Sequence, residues 1–281
     1  MPTTLHSIKK FFKKRNSESH KGQNGKVLVI GGSNDLVGAP ALSAMASLAA
    51  LRSGVDLVTV FAPEKAGFVI NSYSPDLIVK KAMGGEFSKT HLKEALLLAK
   101  KSDVALIGPG IGNKKFALIF AGQFIKKNSG KMVIDADAIS CARKLKFHAN
   151  AIITPHAHEF FELTGKKISG TIAQKKELAK FEAKKRNCVI LLKGKTDIIS
   201  DGNDILLNST GNAAMTVGGT GDVLAGLCAA YLALGAKPIH AAATAAYVNG
   251  KIGEELFAKK GHGLIASDFL AQIPAWTKKI L

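Results

Sequence analysis

The chain has little with which to bridge itself. Its three cysteines, Cys141, Cys188 and Cys228, stand at unpaired spacings, and two of them sit in apolar runs. That excludes a disulfide scaffold and reads as buried free thiols of a reducing compartment. No charge-free apolar run is long enough to span a bilayer, so no membrane segment is expected. No apolar signal-peptide core follows the basic N-terminus, which argues for a cytoplasmic protein. Phe11 and Phe12, flanked by Lys9, Lys10, Lys13, Lys14 and Arg15, leave a transit peptide open. Aromatics make up only 6% of the chain and do not interleave with the basic runs, so stacking platforms for nucleic acid are missing. Repeats and low-complexity segments are absent.

Acidic residues are also scarce, 21 against 39 basic ones, for a net charge of +18. Nucleic acid is one reading of that charge. The lysines are spread along the whole chain, many in stretches with a solvated helical face such as 174–177 and 183–186. A lysine-rich surface that attracts small polyanions fits that spread better, and nucleic acid is disfavoured.

What remains is ample for one α/β domain: 281 residues, 47% of them apolar. Residues 1–25 are polar and turn-rich and read as a basic arm; a single domain is expected over 26–281. Short apolar runs at 26–30, 56–61, 77–81, 104–107, 131–134 and 151–153 predict strands. Helical patterns at 40–53, 90–101 and 115–127 alternate with them, which argues for a mostly parallel sheet covered on both faces. From 188 to 207 the spacing changes to short strands joined by Gly-containing turns, read as antiparallel hairpins at the sheet edge. Helices near 223–234, 239–258 and 267–272 follow, with Pro238 opening the second and Ser267 capping the third.

The stretch from Thr210 to Asp222 stands out. It is a loop of small residues, with Gly211, Gly218, Gly219 and Gly221, running into an apolar helix. A helix start leaves N–H groups unpaired and carries partial positive charge, so a phosphate is its natural ligand. Asp222 is placed where a carboxylate can face that ligand, or is an ordinary first-turn acid. In an open α/β sheet, ligands bind beyond the carboxyl ends of strands. There the chain places Gly31-Gly32-Ser33, Gly108-Pro109-Gly110-Ile111-Gly112, Asp135-Ala136-Asp137, Thr154-Pro155-His156-Ala157-His158-Glu159 and Lys193-Gly194-Lys195-Thr196-Asp197. None has the dinucleotide or Walker spacing. Asp135 and Asp137 read equally as caps of the next helix. His156, His158 and Glu159 lack an evident third partner for zinc. Lys193 can reach a phosphate oxygen or merely guard an edge strand.

Taken in order, these motifs from about Lys26 onward resemble the ADP/ATP-dependent NAD(P)H-hydrate dehydratase family of the ribokinase-like superfamily. The resemblance implies a three-layer α/β/α sandwich with a mostly parallel central sheet and antiparallel edge hairpins. It implies nucleotide-dependent dehydration of the 6-hydroxy hydrate of NADH or NADPH, by phosphorylation of the hydroxyl and loss of phosphate. ADP is the expected donor, ahead of ATP, with Mg²⁺ carried on its phosphates and no protein ligands assigned to the metal. By the same pattern Asp222 is the catalytic base, its ionised form favoured by the helix end. Ala39, Gly110, His156 and Asp222 contact the hydrated cofactor. Lys193, Gly194, Lys195, Thr196, Asp197 and Gly221 border the nucleotide, and Gly218, Gly219 and Thr220 form the phosphate loop. His158 departs from the family pattern, which more often has glycine before the glutamate. A homo-oligomer, tetrameric by resemblance, and a separate NAD(P)H-hydrate epimerase are further expectations. The readings that compete are a small-alcohol kinase on the same scaffold, for a thiazole or pyridoxine-type alcohol, and a nucleotide- or nucleic-acid-binding protein.

Overall fold

Burial along the strands explains the layering. In β1 (Lys26–Ile30), Val27 and Val29 enter one hydrophobic cluster, while Leu28 and Ile30 enter another. Successive side chains on a strand point to opposite faces, so the strand must be covered twice. The computed structural model describes residues 2–12, 15–33, 38–147 and 150–281, with the side chains of Ala39, Pro40 and Ser43 outside that description. Of the glycine-rich stretch after β1, residues 34–37 lie outside it too.

Seven parallel strands form the body of the sheet: β1, β2 (Leu57–Pro63), β3 (Ile78–Ala82), β4 (Val104–Ile107), β5 (Lys131–Ile134), β6 (Ala151–Ile153) and β7 (Val189–Leu192). β8 (Asp197–Ser200) and β9 (Ile205–Asn208) extend it antiparallel, giving the order β3-β2-β1-β4-β5-β6-β7-β8-β9. The chain leaves β1 towards β2 and returns on its other side as β4. That reversal opens a crevice beyond the ends of β1 and β4, where a ligand fits in such sheets. The Gly32 N–H donates to the Pro109 carbonyl at 3.0 Å, joining the two loops there.

One face is covered by α2 (Ala39–Arg52), α3 (Glu64–Tyr73), α9 (Thr220–Ala233), α10 (Pro238–Lys260) and α11 (Ala266–Ile280). The other carries α4 (Leu92–Lys100), α5 (Lys115–Lys127), α6 (Ala138–Cys141), α7 (Ala157–Thr164) and α8 (Ile172–Arg186). α9 and α2 pack backbone to backbone: a Cβ on Gly226 would lie 2.2 Å from the Ala46 carbonyl oxygen. Only glycine permits that approach.

Three local expectations need correction. Ser267 does not cap α11; the helix starts a residue before it, and the Asp268 carboxylate accepts the Ile265 N–H at 3.0 Å. α3 has no counterpart in the sequence reading. Its β-branched and aromatic residues and Gly67 are poor helix formers, but Gly67 lets it settle on β3, where a Cβ would meet Lys81 Cγ at 2.9 Å. Among the thiols, Cys188 and Cys228 are buried, whereas Cys141 is only partly so.

The arm carries more structure than its composition suggests. A short helix, α1 (Leu5–Lys9), buries Ile8 completely, and Phe11 stacks on His240 at 3.7 Å between centroids. The Thr3 N–H bonds the Leu207 carbonyl of β9 at 2.9 Å, and Asp56 accepts the backbone N–H groups of Gly22 and Asn24. None of these contacts reaches the crevice. Removal of residues 1–21 is therefore expected to lower the melting temperature, by uncovering β9 and Tyr231, which Phe12 meets edge-on at 5.4 Å between centroids, while turnover stays within a few-fold. Loss of turnover from a folded truncation would contradict this.

Candidate active site

The loop before α9 spends its side chains on itself. Asn212 donates to the Gly253 carbonyl at 2.9 Å and accepts the Ala214 N–H at 3.0 Å. The Thr220 hydroxyl donates to the carbonyls of Met215 and Val217 at 2.8 and 3.1 Å. Thr220 thus braces the loop through its hydroxyl, and its offering to a ligand is its backbone. Gly219 takes φ +94° at the N-cap, wedged so that a Cβ would lie 2.8 Å from Met45 Cε and 2.9 Å from Ala266 Cβ. Gly218 has nothing within 4 Å of where a Cβ would be. A rigid cradle therefore ends in an open glycine and the unpaired N–H groups of a 14-residue helix, the arrangement that binds phosphate.

Asp222 sits in the first turn of that helix and is 9% exposed. Its Oδ1 is buried with no hydrogen-bond partner among the described residues. Burial pushes its pKa up to about 7, assisted by the charge of Asp135 and opposed by Lys193. This corrects the expectation that the helix end keeps Asp222 readily ionised. Desolvation outweighs the dipole, leaving a carboxyl group poised to take up a proton near neutrality, as a general base requires.

Lys193 follows β7, which is paired on both sides, so it is no edge guard. Its ammonium lies 3.4 Å from Asp135 Oδ1 and 3.4 Å from Glu159 Oε2. Burial opposes its charge, but these two carboxylates outweigh it and hold its pKa above the ordinary lysine value. A Cβ on Gly221 would lie 3.6 Å from Nζ, so the cation stands beside the phosphate cradle. Asp135 is itself fixed: the Thr154 hydroxyl donates to its Oδ1 at 2.5 Å. Neither Asp135 nor Asp137 caps α6 through its side chain. Asp135 faces Lys193, and Asp137 occupies the cap position without the bond. Between them Ala136 takes φ +50°, a left-handed backbone that costs a non-glycine residue energy and is held by its surroundings.

The other expected residues divide. Gly110, at φ +63°, is buried in the turn beyond β4, where Gly108 presses on the Asp135 backbone. His156 caps α7: its Nδ1 accepts the N–H groups of His158 and Glu159 at 3.1 and 3.2 Å. Ala39 opens α2 beyond β1. Gly194 and Lys195 are exposed and Thr196 half-buried, in the turn between β7 and β8. Asp197 faces inward, accepting from the Gly194 N–H and the Asn208 amide, both at 3.0 Å, so its carboxylate shapes the turn. His158 points along α7 to Glu162 at 3.6 Å and is largely exposed. Sequence reasoning left Asp135, Thr154 and Glu159 without a place in the site. Their position at strand ends was the signal; their meeting on Lys193 is not local in sequence.

Comparison with known proteins decides the family. The family model described as NAD(P)H-hydrate dehydratase matches residues 27–275. The chain belongs to the NAD(P)H-hydrate dehydratase family. It is 42% identical over 262 residues to a bifunctional NAD(P)H-hydrate repair enzyme of Pyrobaculum aerophilum, covering 92% of this chain and 52% of that one. The chain thus spans about half the length of such curated relatives. A relative from Nitrosopumilus maritimus named ADP-dependent (S)-NAD(P)H-hydrate dehydratase is 40% identical, with 96% and 94% of the two chains covered. The crystal structure of the Bacillus subtilis ADP/ATP-dependent NAD(P)H-hydrate dehydratase, co-crystallized with ATP/Mg²⁺, superposes with a TM-score of 0.84 at 29% identity, covering 99% and 98%. The expected ribokinase-like α/β/α layering is the one found.

Proposed function

We propose that this protein dehydrates the 6-hydroxy hydrate of NADH or NADPH at the expense of a nucleotide, ADP ahead of ATP. The observation that carries the reading is Asp222, a buried carboxyl group whose Oδ1 has no hydrogen-bond partner among the described residues, directly inside a phosphate cradle and beside a retained cation. Family membership supports the substrate, and the names of the Nitrosopumilus and Bacillus relatives support the donor.

The geometry supports the following chemistry. Asp222 accepts the proton of the substrate hydroxyl as that oxygen attacks the terminal phosphorus. A phosphorus–oxygen bond forms to the substrate and the one to the nucleotide breaks, releasing AMP from ADP. The α9 N–H groups stabilise the charge on the transferring group, and Lys193 holds the phosphates of the donor. Phosphate, a far better leaving group than hydroxide, then departs from C6 with the carbon–oxygen electron pair, a proton is lost from C5 to solvent or to the departing phosphate, and the C5=C6 double bond of the dihydronicotinamide is restored. Mg²⁺ would neutralise phosphate charge when it arrives with the nucleotide. The described residues include no cluster of three or more His, Cys, Asp or Glu side chains suited to hold a metal, and no step here is assigned to it.

Incubation with hydrated NADH and either ADP or ATP tests the reading, followed by the absorbance of reduced nicotinamide. Recovery of NADH with release of phosphate is expected, faster with ADP. Accumulation of a stable phosphorylated alcohol instead would make the protein a kinase. Lys193→Ala is expected to raise the nucleotide KM more than it lowers kcat, because a cation beside a phosphate serves ground and transition states alike. Equal losses in kcat and kcat/KM would move Lys193 into the catalytic group. A cytoplasmic location, read from the N-terminal sequence and the unpaired cysteines, belongs to the same proposal, as do a tetrameric assembly and a separate epimerase, carried by the resemblance. Among the described residues no helix is long and apolar enough to cross a membrane.

A further inference from the structure

Glu159 has a position that neither capping nor charge balance alone explains. Its side chain is 14% exposed, and its two oxygens serve different masters. Oε2 accepts the His156 backbone N–H at 2.8 Å and lies 3.4 Å from Lys193 Nζ. Oε1 lies 3.6 Å from His156 Nε2. Because His156 Nδ1 already accepts two backbone N–H groups, the ring proton belongs on Nε2, facing Glu159. A second link runs beneath: the Lys193 N–H donates to the Pro155 carbonyl, one residue before His156, at 2.9 Å. One carboxylate therefore faces, at once, the imidazole assigned to the hydrated cofactor and the ammonium assigned to the nucleotide, the first across a 3.6 Å gap and the second at 3.4 Å.

We infer that Glu159 is a positioning residue that couples the two half-sites, so that nucleotide and hydrated cofactor each strengthen the binding of the other. The inference rests on the function proposed above. An anionic phosphate draws Lys193 towards itself and loosens its hold on Glu159. The carboxylate, less neutralised, then closes the 3.6 Å gap to accept the His156 Nε2–H and fixes the ring for the cofactor. Binding coupling is reciprocal, so the cofactor must favour the nucleotide by the same factor. Asp135 takes no part in this exchange, since its contacts are to Lys193 and Thr154 and not to His156.

The test measures ADP affinity with and without saturating hydrated NADPH, in an Asp222→Asn background that slows turnover. ADP is expected to bind about fivefold or more tightly when the hydrate is present, within the usual range of coupling between sites. Adding Glu159→Gln should bring that ratio to within about twofold of unity. Gln keeps an oxygen for the His156 N–H, so α7 retains its cap. Lys193→Met in the same background removes the other end of the link and should abolish the coupling too. Glu162→Gln, one turn further along α7, should leave it intact. A ratio unchanged by Glu159→Gln, or a ratio of one in the parent, overturns the inference. Failure of the wild-type protein to restore NADH would instead strike at the functional reading.

Discussion

Asp222→Asn is expected to lower the rate of NADH recovery by on the order of 10²–10⁴-fold, the usual worth of a positioned general base. The substitution keeps the shape of the side chain and removes its basicity. ADP affinity should survive or tighten, because the α9 N–H groups and Lys193 remain while a negative charge near the phosphates is gone. The pH dependence makes the case sharper. With the Asp222 pKa raised to about 7, the wild-type kcat/KM should fall as pH drops below that value, roughly tenfold per unit for a single ionisation. Stability runs the other way. A carboxyl group whose folded pKa lies above its unfolded value makes the native state bind more protons, so stability declines as pH rises from the ordinary carboxylate range to about 7. Asp222→Asn should remove that decline and melt higher than wild type at pH 8. If the variant restored NADH at a near-normal rate, Asp222 would leave the mechanism, and with it most of the case for phosphoryl transfer at this loop.

Gly108→Ala is expected to be among the most damaging single changes to the fold, costing about 2–6 kcal/mol. Gly108 takes φ +128°, and a Cβ there would lie 1.8 Å from the Asp135 carbonyl oxygen. Backbone strain of ~1–3 kcal/mol adds to overpacking of ~1–3 kcal/mol. The obstacle is main chain just past the end of β5, which cannot swing aside as a side chain can. Urea denaturation measures the cost, and an unchanged midpoint would show that the Asp135 strand end yields easily. Gly218→Ala makes the contrast. Its Cβ meets nothing within 4 Å, and its backbone is not left-handed. Stability should change by about 0.5 kcal/mol or less, the usual range for an uncrowded surface site. The nucleotide KM should rise, because the methyl group occupies space the phosphate needs. Unaltered nucleotide binding would place the transferring group elsewhere.

The strands were readable because a parallel sheet buries both faces, which leaves runs such as Val104–Ile107 wholly apolar. The glycine loop that leads into α9 was readable because its demands are local: glycine where the backbone must be left-handed or open, and a helix directly after. What could not be read is what depends on partners distant in sequence. Nothing near Lys193 announces that Asp135, 58 residues earlier, and Glu159 will flank it. The local helix dipole predicts an ionised Asp222; only the assembled fold shows how thoroughly water is removed from it. The arm looked featureless for the same reason, since Ile8 and Phe11 find their partners on α10 and its neighbours, more than 200 residues on.

The contact of Gly226 with the Ala46 carbonyl has a mechanical meaning. α2 begins beyond β1 and α9 begins at the phosphate cradle, and a lock at their middles prevents either from tilting alone. Gly219, pressed between Met45 and Ala266, pins the leading end of α9 as well. The two helix starts therefore behave as two prongs of one fork. A mutation far down α2 that shifts its axis is therefore expected to displace Asp222 in the first turn of α9.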